Sequence, residues 1–298
     1  MKILMLTIFL IVIIIICGDF IYSRIVKYRL KKWEKNIKRD SDDIREGCKE
    51  FSVGNGDIGL LLIHGFGDSP AVYRNFALAL SETNFTCKIM RLPGFALPMT
   101  AYSKTNSKQW VEKLEQEIYQ LKQKHKCVWI IAHSLGGATT IKYLLNNSQK
   151  VDGVILIAPL LKVSSRQSFF IPARILYQIA NYCLFFTKIF ENYLPLDLYD
   201  PTIKHQFDRF IPKIIYKELF NLLDNVKGKA KKINIPFLMI LSKNDLIVDG
   251  KEAEHFYNQV SSPYKNILIL KNSGHMIPLD YEWKNVVSTI STFILNKP

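Results

Sequence analysis

The chain has 298 residues, 48% of them hydrophobic, which is enough to bury a large core; disorder is not expected, and one large domain with an insertion is. Its five cysteines (Cys17, Cys48, Cys87, Cys127, Cys183) show an odd count and no short pairing interval, which argues against a disulfide framework and for a reducing compartment. The net charge of +14 raises nucleic acid as a partner, but much of the excess sits near the amino end and no recognition element accompanies it, so none is expected.

Ile3 to Cys17 is apolar except for Thr7, and Arg24, Lys27, Arg29, Lys31, Lys32, Lys35, Lys38 and Arg39 follow with only Glu34 opposing. The run is short for a bilayer, which takes about 20 residues, unless Phe20, Ile21 and Tyr22 extend it. A cleaved signal would want its positive charge before the apolar run, yet only Lys2 stands there and no small-x-small cleavage site follows. A lipoprotein signal would use Cys17, but Ile16 before it is too bulky. An uncleaved anchor over 1–23 fits better. The basic residues on its carboxyl side then place the rest of the chain in the cytoplasm, with the basic segment on anionic headgroups. Secretion after cleavage is the alternative.

Residues 24–57 read as a basic, polar linker closed by the turn signal "VGNGDIG". Beyond it "IGLLLIHG", "TCKIMRLPG", "VWIIAHSLGG", "VILIAP", "PFLMILS" and "ILILK" are continuous apolar strands of the kind covered on both faces. Helix patterns lie between them: Trp110, Val111, Leu114, Ile118 and Leu121; Ile141, Leu144 and Leu145; and the tail from Val286 to Ile294. This alternation predicts a mostly parallel α/β sheet with helices on both faces.

"VWIIAHSLGG" ends a strand on a small hydroxyl followed by two glycines. A tight strand-to-helix turn would hold Ser134 in a strained conformation and lift its hydroxyl above the sheet edge, and it needs small neighbours to do so. Here the pattern is A-x-S-x-G, with Ala132 at the usual first glycine. Such a pattern also occurs as a plain turn, so its company decides. A serine nucleophile needs a histidine base, and the base needs an orienting carboxylate. Asp245 in "LMILSKNDLIVDG" and His275 in "ILILKNSGHMIP" each follow an apolar strand, in the order serine, acid, histidine.

With "LLLIHGFGDSP", "RLPGF", "AHSLGG", "SKNDLIV" and "NSGHMIPLD", the chain resembles the α/β-hydrolase superfamily, and within it bacterial carboxylesterases and monoacylglycerol lipases, over roughly 51–293. The resemblance implies a core over 58–159 and 233–298, a helical cap over 160–232, and an oxyanion hole made by the backbone N–H groups of Phe66 and Leu135. In "RLPGF", Ala96 replaces the family's second glycine, which we take as a change of loop shape.

Other candidates have duller readings. Asp249 is a rival acid, but Glu252 three residues on makes it a helix cap, so Asp245 is preferred. His64 and His133 precede the acid in chain order and are expected to bond loop backbone; His125, His205 and His255 sit in polar surroundings and are expected at the surface. The stretch "SFFIPARILYQIANYCLFFTKIFENYLPLDLY" is richer in aromatics than a small cap needs, which fits a lipophilic acyl pocket or a lid dipping into a bilayer. Lys204, Arg209, Lys213 and Lys217 read as a solvated face. The expected activity is hydrolysis of a lipophilic carboxylic ester, such as a monoacylglycerol or lysophospholipid, by Ser134, His275 and Asp245 through an acyl-enzyme. No metal or organic cofactor is implied. A serine aminopeptidase, or an inactive membrane-tethered binding protein on the same scaffold, are the alternatives.

Overall fold

The computed structural model describes residues 2–147, 150–166, 171–192 and 196–297. Of the aromatic stretch noted above, 168–170 and 193–195 lie outside the described residues. In chain order the elements are α1 (Lys2–Lys35), β1 (Phe51–Val53), β2 (Ile58–Ile63), α2 (Arg74–Ser81), β3 (Phe85–Met90), α3 (Met99–Tyr102), α4 (Ser107–Lys122), β4 (Cys127–His133), α5 (Leu135–Asn147) and β5 (Gly153–Ile157). There follow α6 (Ala173–Cys183), β6 (Ile189–Glu191), β7 (Phe210–Pro212), α7 (Lys213–Val226), β8 (Phe237–Ser242), α8 (Gly250–Gln259), β9 (Lys265–Leu270) and α9 (Trp283–Leu295).

Seven strands form one sheet in the order β1-β3-β2-β4-β5-β8-β9, parallel except for β1, which runs antiparallel to β3. The interior strands β4, β5 and β8 are buried almost end to end, because α2 and α9 pair on one side while α4, α5 and α7 pack together on the other. Continuous Val, Ile and Leu runs are what a doubly covered parallel strand requires. β9 departs from that expectation. It is the sheet's edge, and Ile269 stays 38% exposed because only one neighbour and one helix layer reach it.

Between β5 and β8 the chain inserts α6, the antiparallel β6–β7 hairpin and α7. α7 buries Ile215, Leu219, Leu222 and Val226 on the sheet domain at helical spacing. α6 buries no residue: Ile175, Ile179 and Tyr182 face outward, joined by Phe185 and Phe186 just after it.

α1 is a single unbroken helix, and its first half is exposed and apolar from Ile3 to Ile16. With a mean hydropathy of 2.9 over its best 18-residue window, it is long and apolar enough to cross a membrane. The segment 24–57, expected as a linker, is instead folded onto the domain. Asp19, Ser23, Val26 and Leu30 recur at helical spacing and are buried on one face of α1. Val26 and Leu30 cluster with Met99 and Phe210, flanked by Tyr22, Trp33 and Ile189. Asp19 accepts the N–H groups of Phe186 (2.7 Å) and Thr187 (3.1 Å), and Glu34 accepts that of Met99 (2.9 Å). Glu191 takes both Arg29 (3.2 Å) and Arg209 (2.6 Å). Further on, Ile44 and Cys48 bury against Ala96 before β1 joins the sheet. The basic composition of this stretch concealed a buried face that holds only two apolar side chains, Val26 and Leu30, flanked by the partly buried Tyr22 and Trp33.

Candidate active site

Ser134 occupies the turn between β4 and α5 with φ = 52°, in the left-handed region that a non-glycine residue enters only under constraint. Its N–H donates to the Ile157 carbonyl (3.0 Å), and its own carbonyl accepts from Gly137 (2.9 Å) and Leu160 (2.9 Å). The glycines after it are required by space. A Cβ on Gly136 would lie 2.7 Å from the Ile63 carbonyl oxygen, and one on Gly137 would lie 2.9 Å from the Pro159 Cβ. Helix α5 therefore starts hard against β2 and the β5 loop, which pushes Ser134 to the carboxyl edge of the sheet.

Asp245 follows β8 and His275 follows β9, so both loops open on that same edge. The His275 Nδ1 lies 2.8 Å from Asp245 Oδ2, and its Nε2 lies 2.9 Å from Ser134 Oγ. All three residues are at least nine-tenths buried. With Nδ1–H donated to the carboxylate, Nε2 is left as an acceptor for the serine hydroxyl. Asp245 Oδ1 accepts the N–H groups of Ile247 (2.8 Å) and Val248 (2.9 Å). Burial pushes the Asp245 carboxyl up, but the His275 charge and these hydrogen bonds outweigh it and hold it below its usual value. Burial likewise pulls His275 down, and the charge and hydrogen bond of Asp245 prevail, leaving it above its usual value.

The other histidines hold loops. His64 Nδ1 donates to the Gly65 carbonyl (2.9 Å), while its Nε2 accepts the Leu92 N–H (3.0 Å). His133 Nε2 donates to the His275 carbonyl (2.9 Å). Burial depresses both imidazoles to about 4, so they stay neutral and serve as fixed hydrogen-bonding links. Asp249 caps α8 through the Glu252 N–H (3.2 Å) and pairs with Lys162 (2.7 Å), as a capping residue should. His255 lies exposed beside Gln259, and His125 contacts the Asp57 carbonyl. His205 corrects its expectation as a surface residue: its side chain is 7% exposed and its Nε2 lies 2.6 Å from Asp68 Oδ1.

The amides of Phe66 and Leu135 flank Ser134 in the folded chain. Gly65 sits so near that a Cβ on it would be 3.0 Å from the Ser134 Cβ. Among the described residues neither amide donates a hydrogen bond within the protein. The Phe66 ring packs on Phe95 (centroids 6.0 Å) and Tyr216 (5.3 Å), and Tyr216 in turn meets Phe190 (5.7 Å) and Tyr177 (6.5 Å). This aromatic row joins the turn at Phe66 to the inserted segment.

Two bracing residues were not anticipated. Asp197 Oδ2 accepts the N–H groups of Leu246 (2.7 Å) and His275 (3.0 Å), fastening the acid loop to the histidine loop. Asp280 accepts from Gly274 (2.7 Å), Tyr199 (2.9 Å) and Asp200 (3.0 Å). Among the described residues no group of three or more His, Cys, Asp or Glu side chains is placed to hold a metal ion.

Residues 57–282 match the family described as serine aminopeptidase, S33. The chain belongs to that family. This hydrolase is 25% identical over 244 residues to the thermostable monoacylglycerol lipase of Bacillus sp. (strain H-257), covering 82% of this chain and 93% of the relative. It is 24% identical over 248 residues to the carboxylesterase of Bacillus subtilis (strain 168), covering 83% and 96%. Among solved structures it resembles a metagenome-derived lipolytic enzyme with a TM-score of 0.76 at 20% identity, covering 85% of this chain and all of the other. The monoacylglycerol lipase of Paleococcus ferrophilus follows at 0.66 and 20%, covering 82% and 98%. The hydrolase thus has the α/β-hydrolase fold and is a serine hydrolase of the carboxylesterase and lipase type. α1 lies outside the matched residues.

Proposed function

We propose that the protein hydrolyses lipophilic carboxylic esters, monoacylglycerols or lysophospholipids, with Ser134 as nucleophile, His275 as base and Asp245 as its orienting acid. The observation that carries this reading is the buried chain of hydrogen bonds from Ser134 Oγ through His275 to Asp245, 2.9 and 2.8 Å long. Ser134 Oγ attacks the ester carbonyl carbon while its proton passes to His275 Nε2. The Phe66 and Leu135 amides receive the charge that collects on the carbonyl oxygen; losing one such donor typically costs about 3 kcal/mol of barrier. The C–O bond to the alcohol then breaks, and the imidazolium protonates the departing oxygen. Water enters, gives a proton to the same nitrogen and attacks the acyl carbon; the bond to Ser134 Oγ then breaks, the imidazolium returns its proton to that oxygen, and the acid leaves.

The family's description as an aminopeptidase makes the peptide reading worth weighing. Holding a free amino terminus needs a carboxylate to spare. All six carboxylates of the cap are already engaged: Glu191 by two arginines, Asp197 by backbone amides, Asp200 by Thr202, Asp208 by Arg45, Glu218 by Ser107 and Asp224 by Arg174. The aromatic row ending at Phe66 suits an acyl chain better.

We place 2–18 of α1 in a bilayer, with the catalytic domain on the cytoplasmic side because Arg24, Lys27, Lys31, Lys32 and Lys35 follow the apolar run. Phe20 of α1 meets Phe186 edge to face at 5.4 Å, so a membrane that takes the first half of α1 also meets the outward apolar face of α6. A fluorophosphonate probe tests the nucleophile: wild type is labelled and Ser134→Ala is not, and equal labelling of both rejects Ser134. A panel of p-nitrophenyl esters set against aminoacyl amides then separates esterase from peptidase. Protease added to intact cells should spare the domain, whereas its digestion would reverse the topology.

A further inference from the structure

The basic half of α1 and the inserted segment enclose an open cleft of about 1180 Å³ that touches none of Ser134, Asp245 and His275. Its walls carry five cations, Arg29, Lys32, Lys38, Arg45 and Arg209, and one carboxylate, Glu46. Arg29 and Arg209 both pair with Glu191. Lys32 and Lys38 make no ion pair among the described residues. The cleft is therefore left with more positive charge than the protein itself neutralises.

Arg45 supplies the second observation. The residue is 2% exposed, its Nε donates to Cys48 Sγ (3.3 Å), and its Nη1 donates to Asp208 Oδ1 (3.0 Å) and the Phe207 carbonyl (3.2 Å). Its Nη2 is buried without any partner. A buried donor left unmade is costly, more so on a charged group, and is rare enough to require a reason. A guanidinium in the wall of a cleft that also carries two lysines without ion pairs is a donor set suited to a phosphate, whose two negative charges and three oxygens exceed what a single carboxylate offers.

We infer that this cleft binds a phosphate-bearing anion, which accepts from Arg45 Nη2 and is neutralised by Lys32 and Lys38. The volume far exceeds what a bare ion needs and lies just above the range of about 300–1,000 Å³ usual for small-molecule sites, and Tyr28 and Trp33 in the wall offer faces for an organic portion. Lys32 lies 12 residues beyond Phe20, about 18 Å along a helix rising 1.5 Å per residue. A headgroup layer is only about 5–8 Å deep on each side. The ligand therefore comes from solution rather than from the bilayer. His205, which also lines the cleft, bonds Asp68, and the Asp208 N–H donates to the Gly67 carbonyl (2.6 Å), so the site adjoins the turn that carries Phe66.

The test is calorimetric titration of the full-length protein in non-ionic detergent at low ionic strength, and it does not depend on ester hydrolysis. Inorganic pyrophosphate should bind saturably, weaken by about tenfold or more in a Lys32→Gln/Lys38→Gln double variant, and be unaffected in Lys231→Gln/Lys232→Gln, which loses the same charge outside the cleft. Octyl phosphate distinguishes the source. Equal affinity for both probes assigns a soluble ligand; binding of octyl phosphate alone, lost in the Lys32/Lys38 variant, keeps the phosphate chemistry but assigns a lipid headgroup. No binding of either probe, or equal weakening in the two double variants, overturns the site.

Discussion

At the scale of single residues, the pH dependence of the reaction should be set by His275. Only the neutral imidazole can accept the serine proton, and the Asp245 charge beside it holds its pKa above the ordinary 6.5. Activity is therefore lost as pH falls, and the acidic limb of kcat/KM should turn over above pH 6.5. In Asp245→Asn that support goes and the opposite tautomer is favoured. The rate should fall by about 10⁴-fold with the fold intact, and a loss under about tenfold would remove Asp245 from its assigned role. Gly136→Ala acts by space alone. Its Cβ would stand 2.7 Å from one backbone oxygen and 2.9 Å from another, neither of which can swing aside, so we expect a loss of about 1–3 kcal/mol, read from the denaturation midpoint. The sequence around Ser134 disclosed this much because the reason for each small residue lies within a few positions of it or on the next strand.

At the scale of elements, legibility depended on distance along the chain. The interior strands announced themselves by unbroken apolar runs, and Asp245 and His275, which the fold brings within 2.8 Å of each other, could be proposed because each trails such a run. Asp197 could not: nothing in "LPLDLYD" marks a residue whose partner amide, that of His275, is 78 positions away. His205 was misplaced for the same reason, since "PTIKHQFD" is polar locally and its partner Asp68 is 137 positions distant. The start of the β6–β7 segment is a third case, tied to α1 by the Asp19 carboxylate that receives the Phe186 and Thr187 amides. Replacing it in Asp19→Ala leaves two donors unmade, a cost of about 1.5–3 kcal/mol for bonds to a charged group. Hydrogen exchange at Phe186 and Thr187 should accelerate by about 10–100-fold while the amides of β4 keep their protection, because local opening does not require the sheet to unfold. Unchanged exchange at both would show that the apolar contacts of Val26 and Leu30 hold the hairpin without it.

At the scale of the whole molecule, α1 is two structures on one helix, an exposed apolar half and a half that forms part of the domain. The apolar half makes almost no contact with the rest of the chain, so its removal takes away surface that the fold does not use. The second half covers Met99 and Phe210, takes Glu191 into an ion pair through Arg29, and satisfies the Met99 amide through Glu34. Two truncations should therefore part company. A chain lacking residues 2–18 should leave the membrane yet keep its melting temperature and its esterase activity on a water-soluble substrate. A chain lacking 2–35 uncovers Val26's and Leu30's partners, each side chain contributing roughly 1.5–3 kcal/mol when fully buried. For a domain of this size, each kcal/mol lowers the melting temperature by about 2–4 °C, so the longer truncation should melt at least several degrees lower. Because the lost contacts fall on the inserted segment and on α3 rather than on the sheet, the expected order of failure is the hairpin first and the Ser134 turn last. Equal melting temperatures for the two truncations would show that the helix is a tether and not a strut.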